Sequence, residues 1–346
     1  MALIRPRTLP SRSPTSSPAA KSSAERPDAM RVLIHNDRPE PLRERLLELV
    51  PDVEVGLCDS YDGLVTATQA FEPEVQFHIR FEDKPYPVEA VFDVPGLRWL
   101  GVGGVGVDHL GPWDPEAITV TNGAGVASEA LAWHVLGSII ALTLKYPLFA
   151  RRQAEHIWAW QDVGHVWGKT VCVVGLGHIG RDIAKLCNAV GLRVVGTRAN
   201  PQPTDNVDQV FGPDGLHKAL AEADYVAVCT PKVPSTIGLI DGAAFAAMKP
   251  GACLIDVSRG GVTLADQLMA ALDSGHLAGA SLDVFDPEPM PDDHPIWGRE
   301  DVMITPHSCA TFEGWELKAL EMFADNLKRL KAGQPLFNVV DPVRGY

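Results

Sequence analysis

Residues 170–180, Thr-Val-Cys-Val-Val-Gly-Leu-Gly-His-Ile-Gly, join a continuous apolar run to a glycine triplet. Thr170–Gly175 has no polar alternation, the pattern of a strand covered on both faces of a parallel sheet. It leads directly into Gly175-x-Gly177-x-x-Gly180, within which a helical stretch opens, residues 178–190. A strand, a glycine turn and a helix in that order commit this part of the chain to a βαβ unit. The first glycine allows the tight turn. The second lets backbone approach a pyrophosphate, and the third lets the helix lie close to the strand. The N–H groups around His178 and Ile179 then open the helix toward the phosphates. The triplet alone also fits a plain βα turn; its strand and helix context selects a dinucleotide site.

The same alternation extends on both sides. Apolar, β-branched runs fall near 31–35, 53–57, 75–79, 97–102 and 118–121, with helical stretches such as Pro41–Val50 between them. A long helix is expected from Ser128 to about Gln153, bent at Pro147. After the glycine turn, strands are expected at 192–197, 225–229, 252–257, 278–284 and Val302–Thr305. Thr263 and Asp266 have capping-box spacing for a helix over 264–274, with Gly275 as its stop. An amphipathic helix is expected over Thr311–Lys331. The chain therefore reads as α/β, two parallel-sheet domains, with residues 128–307 inserted into a domain made of 31–127 and 308–346.

Composition narrows the function. The net charge of −14 disfavours nucleic acid and anionic membrane surfaces as partners. It leaves room for a small anion held by a few local cations. The longest apolar run, Ala130–Leu144, is too short to span a bilayer and fits a buried helix. Six cysteines without a CxxC pair read as reduced thiols of a cytoplasmic protein, and no histidine pair has metal-ligand spacing. Residues 1–30 are rich in Ser, Pro, Arg and Ala and read as a disordered extension. Trp158, Trp160 and Trp167 read as packing or a subunit contact.

The end of the strand after the glycine turn bears on the cofactor. An NAD-preferring site places an acid there for the ribose hydroxyls. Here the residues are Thr197-Arg198-Ala199-Asn200, with no acid. A guanidinium at Arg198 suits a 2′-phosphate, so NADP is expected over NAD.

Three further segments carry polar groups just beyond expected strand ends: Asp256-Val257-Ser258-Arg259, Leu282-Asp283-Val-Phe-Asp-Pro-Glu288-Pro, and Thr305-Pro306-His307. With the glycine turn and Met248-Lys-Pro-Gly, their order and spacing resemble the D-isomer-specific 2-hydroxyacid dehydrogenase family. The resemblance spans about residues 31–346 and is nearest the glyoxylate/hydroxypyruvate reductase branch. It implies a flavodoxin-like substrate domain, a Rossmann cofactor domain and a homodimer formed through the latter. It also implies roles. Arg259 matches the arginine that binds substrate carboxylate and carbonyl oxygen. Glu288 matches the acid paired with the catalytic histidine, His307. Asp283 matches the residue holding the nicotinamide carboxamide. Thr230-Pro231, Val257 and Ser258 lie beside the cofactor, and the backbone of Val105-Gly106 matches the loop that holds substrate carboxylate. Trp133 and Cys309 depart from common family residues.

That chemistry is coherent. Reducing a keto group leaves charge on oxygen, which needs a proton from a nearby acid. A carboxylate beside an imidazole favours its protonated form, and an arginine fork suits both carboxylate and oxyanion. Taken singly, Thr-Pro-His is an ordinary strand end with a solvated histidine, Arg259 a surface ion pair and Glu288 a turn acid. Together they point to a small 2-keto or 2-hydroxy acid as substrate. Alternatives are a dinucleotide-sensing corepressor-like protein, or a D-lactate- or phosphoglycerate-type dehydrogenase. The last often appends a regulatory domain, for which the residues up to Tyr346 leave no room.

Overall fold

The computed structural model describes residues 29–80 and 84–342. The expected extension at 1–30 lies outside them except for its last two positions, and Met30 already begins the first strand. Five strands, β1 (Met30–His35), β2 (Val53–Cys58), β3 (Val75–His78), β4 (Trp99–Val102) and β5 (Thr119–Thr121), form one all-parallel sheet in the order β2-β1-β3-β4-β5. Seven more, β6 (Thr170–Val174), β7 (Arg193–Thr197), β8 (Gln209–Phe211), β9 (Tyr225–Val228), β10 (Ala252–Asp256), β11 (Leu277–Leu282) and β12 (Val302–Ile304), form a second parallel sheet, β12-β11-β10-β9-β6-β7-β8. The helices are α1 (Pro39–Leu49), α2 (Tyr61–Phe71), α3 (Glu89–Phe92), α4 (Ser128–Thr143), α5 (Tyr146–Ala154), α6 (His178–Ala189), α7 (Leu216–Glu222), α8 (Gly242–Ala247), α9 (Ala265–Asp273) and α10 (Trp315–Lys331).

In the second sheet the strand order reverses between β6 and β9. In open α/β sheets a ligand crevice forms beyond the carboxyl ends at such a point. Every residue of β6, β9 and β10 is buried, as a sheet with both faces covered requires.

The chain passes from the first core to the second between Val126 and Ala127. It returns between Phe312 and Trp315, later than the expected residue 308, because Cys309, Ala310 and Phe312 still pack on the second core. α10 then covers the first sheet. Phe323 stacks on Trp99 at 4.5 Å, and the Trp99 indole N–H donates to Thr121 Oγ1 at 2.9 Å. Asn338 ties the segment after α10 to the first passage: its side-chain amide donates to the Ala124 carbonyl at 2.8 Å, and its own carbonyl accepts from Asn122 N.

Three local expectations need correction. The break in the long helix falls at Lys145, in left-handed backbone at φ 55°, with Pro147 at the start of α5 rather than at the bend; the two helices meet at 66°. Among the described residues no single helix is long and apolar enough to cross a membrane. The Thr263–Asp266 capping box does not form. Leu264 is the N-cap of α9, and the Thr263 hydroxyl donates to the buried Asp256 carboxylate instead. A buried carboxylate needs that donor more than an exposed helix end does. The C-terminal helix begins at Trp315, after Gly314 in left-handed backbone.

All six cysteines are free. Burial pushes the Cys187 and Cys229 thiols up to about 12 and Cys253 up to about 11, so none of these three is a thiolate near neutral pH.

Beyond the carboxyl ends of β1 and β3 lies a histidine–tyrosine cluster. The ring of buried His35 is 5.0 Å from that of His78, and His78 Nδ1 hydrogen-bonds the Tyr86 hydroxyl. Tyr86 in turn meets His109 at 4.9 Å. Burial holds His78 well below 6.5, and burial opposed by Asp108 holds His109 down at about 4. Both are thus neutral in the fold at pH values where an unfolded chain would protonate them. Stability is then full above about pH 6.5 and lost as pH falls from 6.5 toward 4, by a few kcal/mol. The urea midpoint should drop between pH 7 and pH 5; a flat midpoint over that range would contradict this.

Candidate active site

The phosphate turn follows from its glycines. Gly175 sits at φ 109°, a region L side chains avoid. A Cβ on Gly180 would lie 2.1 Å from the Gly175 carbonyl oxygen, so only glycine lets α6 start this close to β6. A Cβ on Gly177 would meet nothing within 4 Å, which leaves open space where the turn faces the crevice. Ile179 packs into the second core, whereas His178 and Arg181 stand exposed at the start of α6, 3.5 Å apart. Arg181 is a cation at the phosphate end that the glycine spacing alone did not single out.

The crevice also fits the rest of a dinucleotide. Across from the turn, Thr230 follows β9, and its hydroxyl is buried without a hydrogen-bond partner among the described residues. Such an orphan calls for a polar ligand. Pro231 beside it is exposed. At the end of β7, Thr197 is buried and its carbonyl accepts from the N–H groups of Gly175 and Leu176, which fixes the turn. Arg198 next to it is half-buried and makes no ion pair among the described residues. Val257 and Ser258 are buried beyond β10.

Two buried carboxylates shape the loops that carry the polar groups. Asp256 accepts from the backbone N–H (2.9 Å) and hydroxyl of Ser258 as well as from Thr263. Burial raises its pKa while these donors oppose the rise. They fix the turn from which Arg259 projects. Asp283 accepts from the Thr305 hydroxyl at 2.5 Å, Ser308 N at 3.0 Å and Cys309 N at 3.2 Å, and its carbonyl accepts from His307 N at 2.9 Å. The loop is thereby held with His307 at φ 50°, an uncommon conformation for a non-glycine residue. Cys309, whose thiol is pushed up by burial and by Asp283, is part of this anchoring.

The structure brings His307 and Glu288 together. His307 Nδ1 lies 2.8 Å from Glu288 Oε2, and Glu288 Oε1 accepts from Phe285 N at 2.8 Å, so the acid is itself held. Neither side chain is sealed from solvent, at 41% and 35% exposure. His307 Nε2 has no protein partner among the described residues.

Arg259 reaches across to the first sheet. A Cβ at Gly106 would lie 2.4 Å from one guanidinium nitrogen, so the absence of a side chain there lets the cation sit against the Val105–Gly106 loop. Among the described residues the N–H groups of Val105 and Gly106 make no internal hydrogen bond. The loop is fixed from behind, since Asn122 Nδ2 donates to the Val105 carbonyl at 2.8 Å. Asp108 approaches Arg259 Nε at 3.9 Å. Neither Asp108 nor Asn122 carries a sequence signature of its role: the partner of Asp108 comes from the other sheet's loops, and that of Asn122 from a neighbouring loop 17 residues away. The cleft thus presents a guanidinium and two backbone donors from opposite walls, with an imidazole–carboxylate pair at the edge of a dinucleotide crevice. That arrangement can hold a small carboxylate and move a proton beside it.

The tryptophans lie elsewhere. Trp158, Trp160 and Trp167 are 102%, 84% and 74% exposed and pack against no core among the described residues. Trp133 is also exposed. Among the described residues no cluster of three or more metal-ligating side chains occurs.

Known proteins share this organisation. The family model described as "D-isomer specific 2-hydroxyacid dehydrogenase, NAD binding domain" matches residues 136–309. The glyoxylate reductase of Korarchaeum cryptofilum is 29% identical over 315 residues, 88% of each chain. The D-3-phosphoglycerate dehydrogenase of Archaeoglobus fulgidus is 28% identical over 327 residues, 90% of this chain but 59% of that protein. This chain thus spans well under two thirds of the phosphoglycerate relative. The crystal structure of a D-isomer specific 2-hydroxyacid dehydrogenase from Xanthobacter autotrophicus Py2, in complex with NADPH and MES, matches with a TM-score of 0.79 at 28% identity, covering 92% of this chain and 100% of that one.

Proposed function

From the premise that the chain belongs to the D-isomer specific 2-hydroxyacid dehydrogenase family, as an NAD(P)-dependent enzyme, we propose that it reduces a small 2-keto acid of the glyoxylate or hydroxypyruvate type to the D-2-hydroxy acid. The observation that carries this is the 2.8 Å His307–Glu288 pair beside the dinucleotide crevice. Bound reduced nicotinamide supplies the hydride. Glu288 accepts a hydrogen bond from Nδ1–H of the imidazolium and fixes the ring, so that Nε2–H faces the substrate's carbonyl oxygen, gives up its proton there and leaves a neutral imidazole. Arg259 and the Val105 and Gly106 N–H groups hold the carboxylate, and the guanidinium stabilises charge developing on oxygen. In the reverse direction His307 Nε2 accepts the proton. Asp283, Val257, Ser258, Thr230 and Pro231 form the wall against which the nicotinamide half lies, and Gly175, Gly177, His178, Ile179 and Gly180 form the phosphate end.

NADP is the preferred dinucleotide in this proposal. Arg198, without an ion-pair partner among the described residues, and the absence of an acid at the end of β7 support it, as does the NADPH in the Xanthobacter relative. A panel of glyoxylate, hydroxypyruvate, pyruvate and 3-phosphohydroxypyruvate, followed at the nicotinamide absorbance, tests both points. Glyoxylate or hydroxypyruvate should give the highest kcat/KM, with NADPH at least about tenfold over NADH. Highest activity on 3-phosphohydroxypyruvate would make it a phosphoglycerate-type enzyme, and no turnover at all would favour a dinucleotide sensor. A homodimer built on the second sheet's domain completes the proposal. The three exposed tryptophans at 158, 160 and 167 support it, because clustered exposed aromatic surface marks interaction sites. Light scattering should give twice the chain mass, and a monomer would refute it.

A further inference from the structure

α4 runs against β11 in a register that can be read off two contacts. The Leu142 side chain fills the space beside Gly279, where a Cβ would lie 3.3 Å from Leu142 Cδ2. The hydroxyls of Ser138 and Ser281 are 2.9 Å apart. Four residues back along the helix thus correspond to two residues forward along the strand. Both steps are about 6 Å, so the match continues. The next step pairs His134 with Asp283, the carboxylate at the end of β11. In keeping with this, the Asp283 charge acts on the His134 imidazole, although burial has the larger effect and lowers the histidine's pKa. His134 Nε2 is buried and has no hydrogen-bond partner among the described residues.

Asp283 can meet only half of a carboxamide. An ionised carboxylate accepts hydrogen bonds and donates none. From the backbone and hydroxyl donors, Oδ1 is already taken by Thr305, Ser308 and Cys309, whereas Oδ2 receives just a longer contact from Cys309 N at 3.3 Å. Oδ2 is therefore the oxygen with capacity for the carboxamide NH2. The carboxamide oxygen needs a donor, and an imidazole whose charged form is disfavoured by partial burial still carries one N–H. We propose that His134 is a further cofactor-positioning residue, whose Nε2–H donates to the nicotinamide carboxamide oxygen while Asp283 accepts from its NH2. This deepens the proposed function and rests on the dinucleotide lying in the β6/β9 crevice. Together the two side chains would fix which way round the carboxamide sits, and hence how the ring is held.

The test compares NADPH with 2′-phospho-ADP-ribose, which lacks the nicotinamide, by fluorescence titration of the full chain. His134→Phe should weaken NADPH about 3–10-fold, the range of one lost hydrogen bond, and leave 2′-phospho-ADP-ribose unchanged. His134→Gln, whose amide N–H reaches the place of Nε2–H, should restore most of the NADPH affinity. In the unaltered protein, the 15N resonance of His134 Nε2 should move on adding NADPH and not on adding 2′-phospho-ADP-ribose, which keeps the test available if a variant fails to fold. Equal weakening of both ligands, NADPH affinity unaltered in His134→Phe, or an unmoved resonance would overturn the assignment. Failure of the parent chain to bind NADPH would instead remove the dinucleotide site itself.

Discussion

Replacing His307 with alanine is expected to lower kcat by at least about 100-fold while NADPH still binds. Among the described residues, the imidazole is the one titratable group whose free nitrogen lies beside the crevice while its other nitrogen is anchored, at 2.8 Å, to an acid. Without it, water must protonate the developing alkoxide, and general-acid assistance of roughly 10²–10⁴-fold is lost. The loop should survive the change, because it is held by Asp283 through Thr305, Ser308 and Cys309 and not by the imidazole. Alanine, like histidine, must accept φ near 50°, so the backbone strain is similar. Glu288→Gln separates orientation from proton supply: it keeps an acceptor but removes the charge, and a smaller fall in kcat is expected. An unchanged kcat in His307→Ala would exclude it as the proton donor.

Arg259→Gln is expected to cut kcat/KM by about 10²–10³-fold, with both KM and kcat affected. A charge-assisted hydrogen bond contributes about 1.5–3 kcal/mol, and the planar fork offers two. Glutamine retains a polar end but neither the charge nor the fork. The guanidinium is 29% exposed, paired loosely with Asp108 at 3.9 Å and bonded to the neighbouring Ser258 carbonyl at 2.8 Å, so about 1 kcal/mol of stability should go with it. The melting temperature is the control: a large drop would mean that the loss of activity reports unfolding. Parent-like KM and kcat for glyoxylate would remove Arg259 from the carboxylate site.

Much of this architecture could be read from the chain because its signals are local. The continuous apolar runs of β6, β9 and β10 look like doubly covered strands wherever they occur. The glycine spacing at 175–180 announces its own turn, since the clash that forbids a side chain at Gly180 involves an atom only five residues away. What escaped notice depends on distant partners. β8 has three residues, none buried, at the sheet edge, so it lacks a periodic signature. Thr263 has capping spacing, but a carboxylate on the neighbouring strand takes its hydroxyl. The helix break announced by Pro147 falls two residues before it, at Lys145, whose side chain carries no signal for left-handed backbone. In the site, the segments bearing Arg259, Glu288 and His307 stood out as motifs. The contacts that hold them are made by Asp256, Phe285 N and Asp283; that of Asp283 with Ser308 joins loops 25 residues apart in sequence, so this anchoring appears only when the loops meet.

The polypeptide crosses between the sheets twice, at 126/127 and again between Phe312 and Trp315, with Asn338 bonded alongside the first passage. A body tethered at one point can swing about three axes. One tethered at two can turn easily only about the line through both tethers. Any opening that admits a keto acid should therefore be a single-axis swing, which carries Gly106 away from Arg259 while the His307–Glu288 pair, wholly on one side, travels intact.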